Sequence, residues 1–255
     1  MRQNKKKYLQ HISLLPVLCI GICCVVKNSE FLNYNNYGIP LLIVSFLLLV
    51  IAGICNYLPQ FQKKSKWLTL LKAILFFLAP LLMEVAVELL NGNMLWDIDM
   101  FGNVLMNYFI NLILYGIVWV ILGNAKWSLR LVTVFLEIFG IANFYVKQFK
   151  GSPLLPWDIG SIGTAAAVAG SYTYAIGCEI LFSLCVCSVI WKYSRFVTEN
   201  RKTLFHRSSR ALTALGLAIL LFVYYGTDII SKAFVATPDF FNQTRGYEAK
   251  GAIAE

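Results

Sequence analysis

Four acidic residues stand in or beside long apolar runs, where an ionisable group needs a reason: Glu84, Glu88, Glu137 and Glu179. A charge at the centre of a hydrocarbon layer costs about 2.5–3.5 kcal/mol on insertion scales. Glu84 and Glu88 are four residues apart, so on a helix both carboxylates share one face. There they could hold a cation, relay a proton or accept a polar headgroup. The plainer reading is hydrogen bonding to Asn107 or Asn111 on the next apolar run, or protonation. Glu137 sits deeper in its run, with Asn143 and Lys147 following. It offers a proton or ion path, or a structural hydrogen bond. Lys72 lies about one turn inside its run, where its stem can reach the interface.

The elements that must position these groups follow from composition. The chain has 255 residues, 58% apolar and 14% charged, with a mean hydropathy of +0.67. A soluble domain carries roughly 25% charged residues, so an ordinary soluble globular protein is excluded. Apolar runs cover 11–26, 39–58, 67–90, 101–122, 129–145, 177–191 and 211–228. This predicts an all-α polytopic membrane protein of about seven transmembrane helices. The basic N-terminal stretch before 11–26 reads as the flank of an uncleaved first span, with no small-residue cleavage site after Val26.

The net charge of +9 is distributed as a topology signal and not as a nucleic-acid surface. With the N-terminus cytoplasmic, the inner segments hold 15 Lys and Arg and the outer ones 6. That bias predicts a multi-pass cell-membrane protein whose C-terminus is extracellular. Residues 1–230 then form the bundle, including an outer loop at 147–176, and 231–255 form an extracellular juxtamembrane tail. The basic loop 192–210 would lie against anionic phospholipid headgroups. Within the outer loop, two prolines followed by small residues predict a turn and then a helix over 158–168, with Asp158 as a candidate cap. The stretch GTAAAVAG is too apolar for a free loop and too short to span, which predicts an interfacial or re-entrant helix.

The seven cysteines show no repeated CxxC pair and read as packing residues, and the two histidines stand far apart. No Walker A loop, GxSxG or HExxH occurs, and Trp67, Trp96, Trp127, Trp157 and Trp191 near the run ends read as an aromatic belt. No cofactor or metal site is legible in the chain.

The stretch IANFYVKQFKGSPLLPWDIGSIGTAAAV resembles a segment of the membrane domain of lipoteichoic acid synthase-like proteins of the sulfatase/alkaline phosphatase superfamily. The matching positions are Asn143, Tyr145, Phe149, Gly151, Pro153, Pro156, Asp158 and Thr164. Lys150 stands where arginine is common and Ser152 where threonine is common. The tail, with Asn242, Gly246, Tyr247 and Gly251, is similar to the juncture that leads to the family's extracellular enzyme. The resemblance implies a phosphoglycerol transferase of the cell envelope whose catalytic domain, with its threonine nucleophile and divalent Mn or Mg, is missing from this chain. Neither Thr237 nor Thr244 has the ligands that such a nucleophile needs. Lys150, Pro153, Pro156, Trp157 and Asp158 become the candidate headgroup site of the outer loop, and that catalytic domain, in cis or in trans, becomes the implied partner. The competing readings are a stand-alone transporter coupled to ions through Glu84, Glu88 and Glu137, and a structural scaffold subunit.

Overall fold

The computed structural model describes residues 38–57, 66–92, 101–154, 158, 160, 163, 170, 176–197, 212–213 and 215–220. Among these residues all regular structure is helical. The five principal helices are α1 (Gly38–Tyr57), α2 (Lys66–Leu90), α3 (Phe101–Leu122), α4 (Ala125–Lys150) and α5 (Cys178–Tyr193). They coincide closely with the second to sixth apolar runs. Residues 215–220 are also helical and pack on α3, with Leu217 Cδ1 3.7 Å from where a Cβ on Gly116 would stand. The first apolar run and most of the seventh lie outside the described residues.

Two stretches, Trp67–Leu90 and Ala125–Lys150, are long and apolar enough to cross a membrane, while Ile39–Cys55 and Asn107–Leu122 are shorter apolar helices. At 1.5 Å per residue, the 24 residues of the first reach about 36 Å, against a hydrocarbon core of about 30 Å. The expected seven spans are thus met by two helices at this standard of length and composition.

Local chemistry explains the helix ends. Between α3 and α4, Gly123 takes φ 63° and Asn124 caps α4, its Oδ1 accepting from the Lys126 and Trp127 amides. At the far end of α4, Gly151 adopts the left-handed conformation at φ 77° and its N–H donates to the Lys147 carbonyl. This moves an expected boundary: Lys147 and Lys150 belong to the last turn of α4, not to a loop. Inside α2, Pro80 has no N–H for the Phe76 carbonyl. In that turn the Tyr108 hydroxyl from α3 donates to the Phe77 carbonyl at 3.2 Å.

α1 runs parallel to α5, with Ser45 beside Cys185 and Cys55 beside Arg195. α2 packs on α3, α4 and α5, and α3 on α4. Helices α2 and α4 approach closely at Gly140, where an added Cβ would stand 2.9 Å from Leu90 Cδ1 and 3.5 Å from Val87 Cγ2. The bundle carries large apolar side chains on its outer faces as well as in its core. Along α4 the buried stripe mixes Leu129, Val132 and Leu136 with Ser128, Thr133, Glu137, Gly140 and Asn143, while Leu131, Val134, Phe135 and Ile138 face outward. Helix α1 exposes Ile43, Phe46, Leu47 and Ile54, and α2 exposes Leu70, Ile74 and Phe77. A helix packed in water turns charged and polar residues outward, where these turn apolar ones.

Candidate functional site

Three polar seams run through the interior, and α4 contributes to two of them. The first joins α4 to α5 at Glu137, which is 6% exposed. Ser183 Oγ donates to its Oε1 at 2.8 Å and Cys187 Sγ to its Oε2 at 3.2 Å. Both carboxyl oxygens therefore have partners inside the fold. The structural hydrogen bonding that the sequence offered as one reading of Glu137 is formed.

The second seam lies between α2 and α3 and is differently made. Glu84, Glu88, Asn107 and Asn111 are all fully buried. Neither carboxyl oxygen of Glu84 has a hydrogen-bond partner, and neither amide atom of Asn111 has one. The hydrogen bond expected between these two residues is therefore not formed. Glu88 lies close enough for its charge to act on Glu84, and Glu84 in turn acts on Tyr108. An unpartnered buried polar group costs about 1–3 kcal/mol, and charge on it costs more. This seam consequently has unused capacity for a proton or a small cation.

The third seam ties the end of α2 to the loop after α4. Asn143 Nδ2 donates to Asn91 Oδ1 at 2.6 Å, and Asn91 Nδ2 donates to the Val87 carbonyl at 2.6 Å. Lys147 Nζ donates to the Asn91 carbonyl at 2.7 Å, placing a cation at the negative end of α2. Asn143 Oδ1 then accepts from the Leu154 amide at 2.6 Å, so one side chain holds both α2 and the turn that follows Gly151. Lys150 Nζ meets both carboxylate oxygens of Asp158, at 2.9 and 2.8 Å. Pro153, two residues after Gly151, is buried. Pro156, Trp157 and Thr164 lie outside the described residues, as does most of the expected helix over 158–168.

Sequence reasoning singled out Glu137, Asn143, Lys150, Pro153 and Asp158, and the structure gives each a place in a seam or at the junction. It missed Asn91 as the partner of Asn143. The available signal was the Asn91–Gly92 pair closing α2, with Gly92 at φ 78°. It also missed the contact of Ser128 and Thr133 with Tyr115, in which Ser128 Oγ donates to the Tyr115 carbonyl at 2.6 Å and the Tyr115 and Thr133 hydroxyls share a 2.8 Å bond. Glu179 is buried in the first turn of α5, where a carboxylate complements the helix dipole. Cys55, Cys178, Cys185 and Cys187 are free thiols. Among the described residues no group of three or more His, Cys, Asp and Glu side chains converges as a metal site would require.

Comparisons with protein-family models, with curated proteins and with solved structures found no match to this chain.

Proposed function

We propose that the chain is a seven-span membrane domain of a lipoteichoic acid synthase-like phosphoglycerol transferase, which anchors the enzyme and holds the loop after α4 at the outer headgroup plane. The observation that carries the reading is the junction at the end of α4. Gly151, Asn143 and Asp158, three of the positions on which the family resemblance rests, respectively stop the helix, bind the turn and pair with Lys150. The buried polar seams and outward apolar faces support a lipid surrounding, because a carboxyl in hydrocarbon is tolerated where it faces the bundle interior. In this reading the basic end of the bundle is cytoplasmic and the phospho-substituent transfer occurs on a catalytic domain supplied in cis or in trans. Asp158→Ala should lower polymer synthesis by the full-length enzyme while leaving membrane insertion intact. Unchanged synthesis refutes the role of the loop. An antibody to the 192–210 loop tests the larger claim, since a native band far above 28.8 kDa supports the membrane half of a larger enzyme and a band at that mass means a stand-alone or split protein.

A second reading is favoured by one observation, the unpartnered Glu84 and Asn111 side chains. An ion-coupled transporter would use that capacity, and proteoliposome uptake driven by a proton or cation gradient and abolished by Glu84→Gln would replace the first reading.

A further inference from the structure

We propose that Arg130 and Lys126 form a receptor for the phosphate of an anionic lipid headgroup at the basic end of the bundle; the proposal rests on the membrane reading above. Arg130 is held in one orientation from two sides. Its Nε donates to Ser194 Oγ at 2.9 Å and its Nη2 to the Trp191 carbonyl at 3.3 Å. The guanidinium carbon lies 4.4 Å from the centre of the Trp191 ring and 5.6 Å from that of Trp127. These contacts use two of the five N–H donors of an arginine, and the other three have no partner among the described residues. A planar fork oriented by its neighbours and left half-satisfied is suited to take an oxyanion through two parallel bonds.

Lys126 stands one turn earlier on the same helix, partly exposed, and among the described residues its ammonium has only the Trp127 ring nearby, 6.0 Å from the ring centre. Lys192 and Arg195 bring further positive charge from the end of α5, and the Arg195 charge acts on Lys126, Arg130 and Lys192 alike. The N-terminus of α4 adds its own partial positive charge, and its first turn holds no acid to offset it. The acids among the described residues are Glu84, Glu88, Glu137, Asp158 and Glu179, none of them at this end of α4 or α5. Cations gathered at a positive helix end repel one another, and a bound phosphate removes that penalty. Trp127 and Trp191, both partly exposed, give the site the amphipathic rim found at headgroup depth.

The test uses the full chain purified in a neutral detergent and native mass spectrometry with phosphatidylglycerol, phosphatidylcholine and inorganic phosphate as probes. Phosphatidylglycerol should be retained over phosphatidylcholine. Lys126→Gln, which leaves every Arg130 contact in place, should weaken retention about fivefold, as expected for one cation near an anionic surface. Arg130→Lys keeps the charge and loses the fork, so it should also weaken retention. Equal retention of the two lipids, or retention unchanged in both variants, overturns the proposal. Phosphate binding that depends on Arg130 without lipid retention assigns the site to a soluble phosphate compound and overturns the lipid source. Alkaline extraction of native membranes separates the two readings: release of the wild-type chain refutes the membrane reading, whatever the lipid result.

Discussion

Glu84 and Glu137 are the same residue type, both buried in the same bundle, and the structure assigns opposite signs to their removal. Glu137 accepts from Ser183 and Cys187, whereas both oxygens of Glu84 are unpartnered. Replacing each by methionine, close in length and free of polar atoms, isolates that difference. Glu137→Met loses one neutral hydroxyl bond and one weaker thiol bond, together about 1–2 kcal/mol. The cost stays near the lower figure because the Ser183 hydroxyl keeps the Ile180 carbonyl at 3.0 Å. Glu84→Met breaks no hydrogen bond and removes a buried group whose desolvation is uncompensated, a gain of about 1–3 kcal/mol. The two variants should therefore differ by about 2–5 kcal/mol, with the wild type between them. Reversible unfolding in mixed micelles, followed by circular dichroism, reads the difference directly. Glu84→Gln is the control: its amide inherits the unpartnered site and should gain much less than methionine. A Glu84→Met chain less stable than wild type, beside an unaffected Glu137→Met chain, refutes the assignment of the two seams. A Glu84→Met chain that is more stable and also inactive in uptake would show a destabilised group kept for function.

The junction after α4 gives a second prediction. Asn143→Ala strands the Asn91 Oδ1 acceptor and the Leu154 N–H donor together, so it should cost about 2–4 kcal/mol and increase protease cutting just after Gly151. Cutting at the wild-type rate would show that Asn143 does not hold the turn. Gly151→Ala forces a Cβ into a left-handed position at φ 77° and should cost about 1 kcal/mol, although nothing stands within 4 Å of that Cβ. An unchanged melting temperature would refute the backbone argument. Gly140→Val, which drives two methyl groups toward Leu90 and Val87, should cost about 1–3 kcal/mol and separate α2 from α4, as measured by cross-linking of cysteines placed on the two helices.

How much of this was legible depended on whether the signal was local. Helix α3 begins and ends where its apolar run does, at 101 and 122, and α2 differs from its run by one residue. Continuous apolar segments bounded by basic or Asn/Gly-rich stretches announce their own ends. The C-terminus of α4 was misplaced because hydropathy falls at Lys147 while the helix continues, and its stop signal is the backbone of Gly151. The partners of Glu137 were not legible for a different reason. Helix α5 is apolar nearly all round, so nothing in 178–193 says which face meets α4, and Ser183 and Cys187 lie 46 and 50 residues from Glu137. The pairing of Asn91 with Asn143 spans 52 residues and is equally silent in sequence. Charge spacing gathered the basic residues at one end, but the stacking of Arg130 between Trp127 and Trp191 needed the α4 and α5 termini side by side.

Helix α4 gives these observations a common mechanical basis. From its basic end onward, Arg130 engages the C-terminus of α5, Thr133 meets Tyr115 on α3, Glu137 meets Ser183 and Cys187 on α5, and Asn143 meets Asn91 at the end of α2. In the proposed lipid surrounding, apolar contacts between helices gain no hydrophobic driving force, so polar contacts carry more of the register. A displacement of one turn, about 5.4 Å, would break every one of these polar contacts at once. The seams therefore set the register of α4 more strictly than packing does. That register places Arg130 about 20 Å along the helix axis from Asn143, at 1.5 Å per residue. An α4 held this way ties the basic end to the loop junction as a rigid spacer, and the register fixed at four separate polar contacts gives the polar groups along its buried face a structural role.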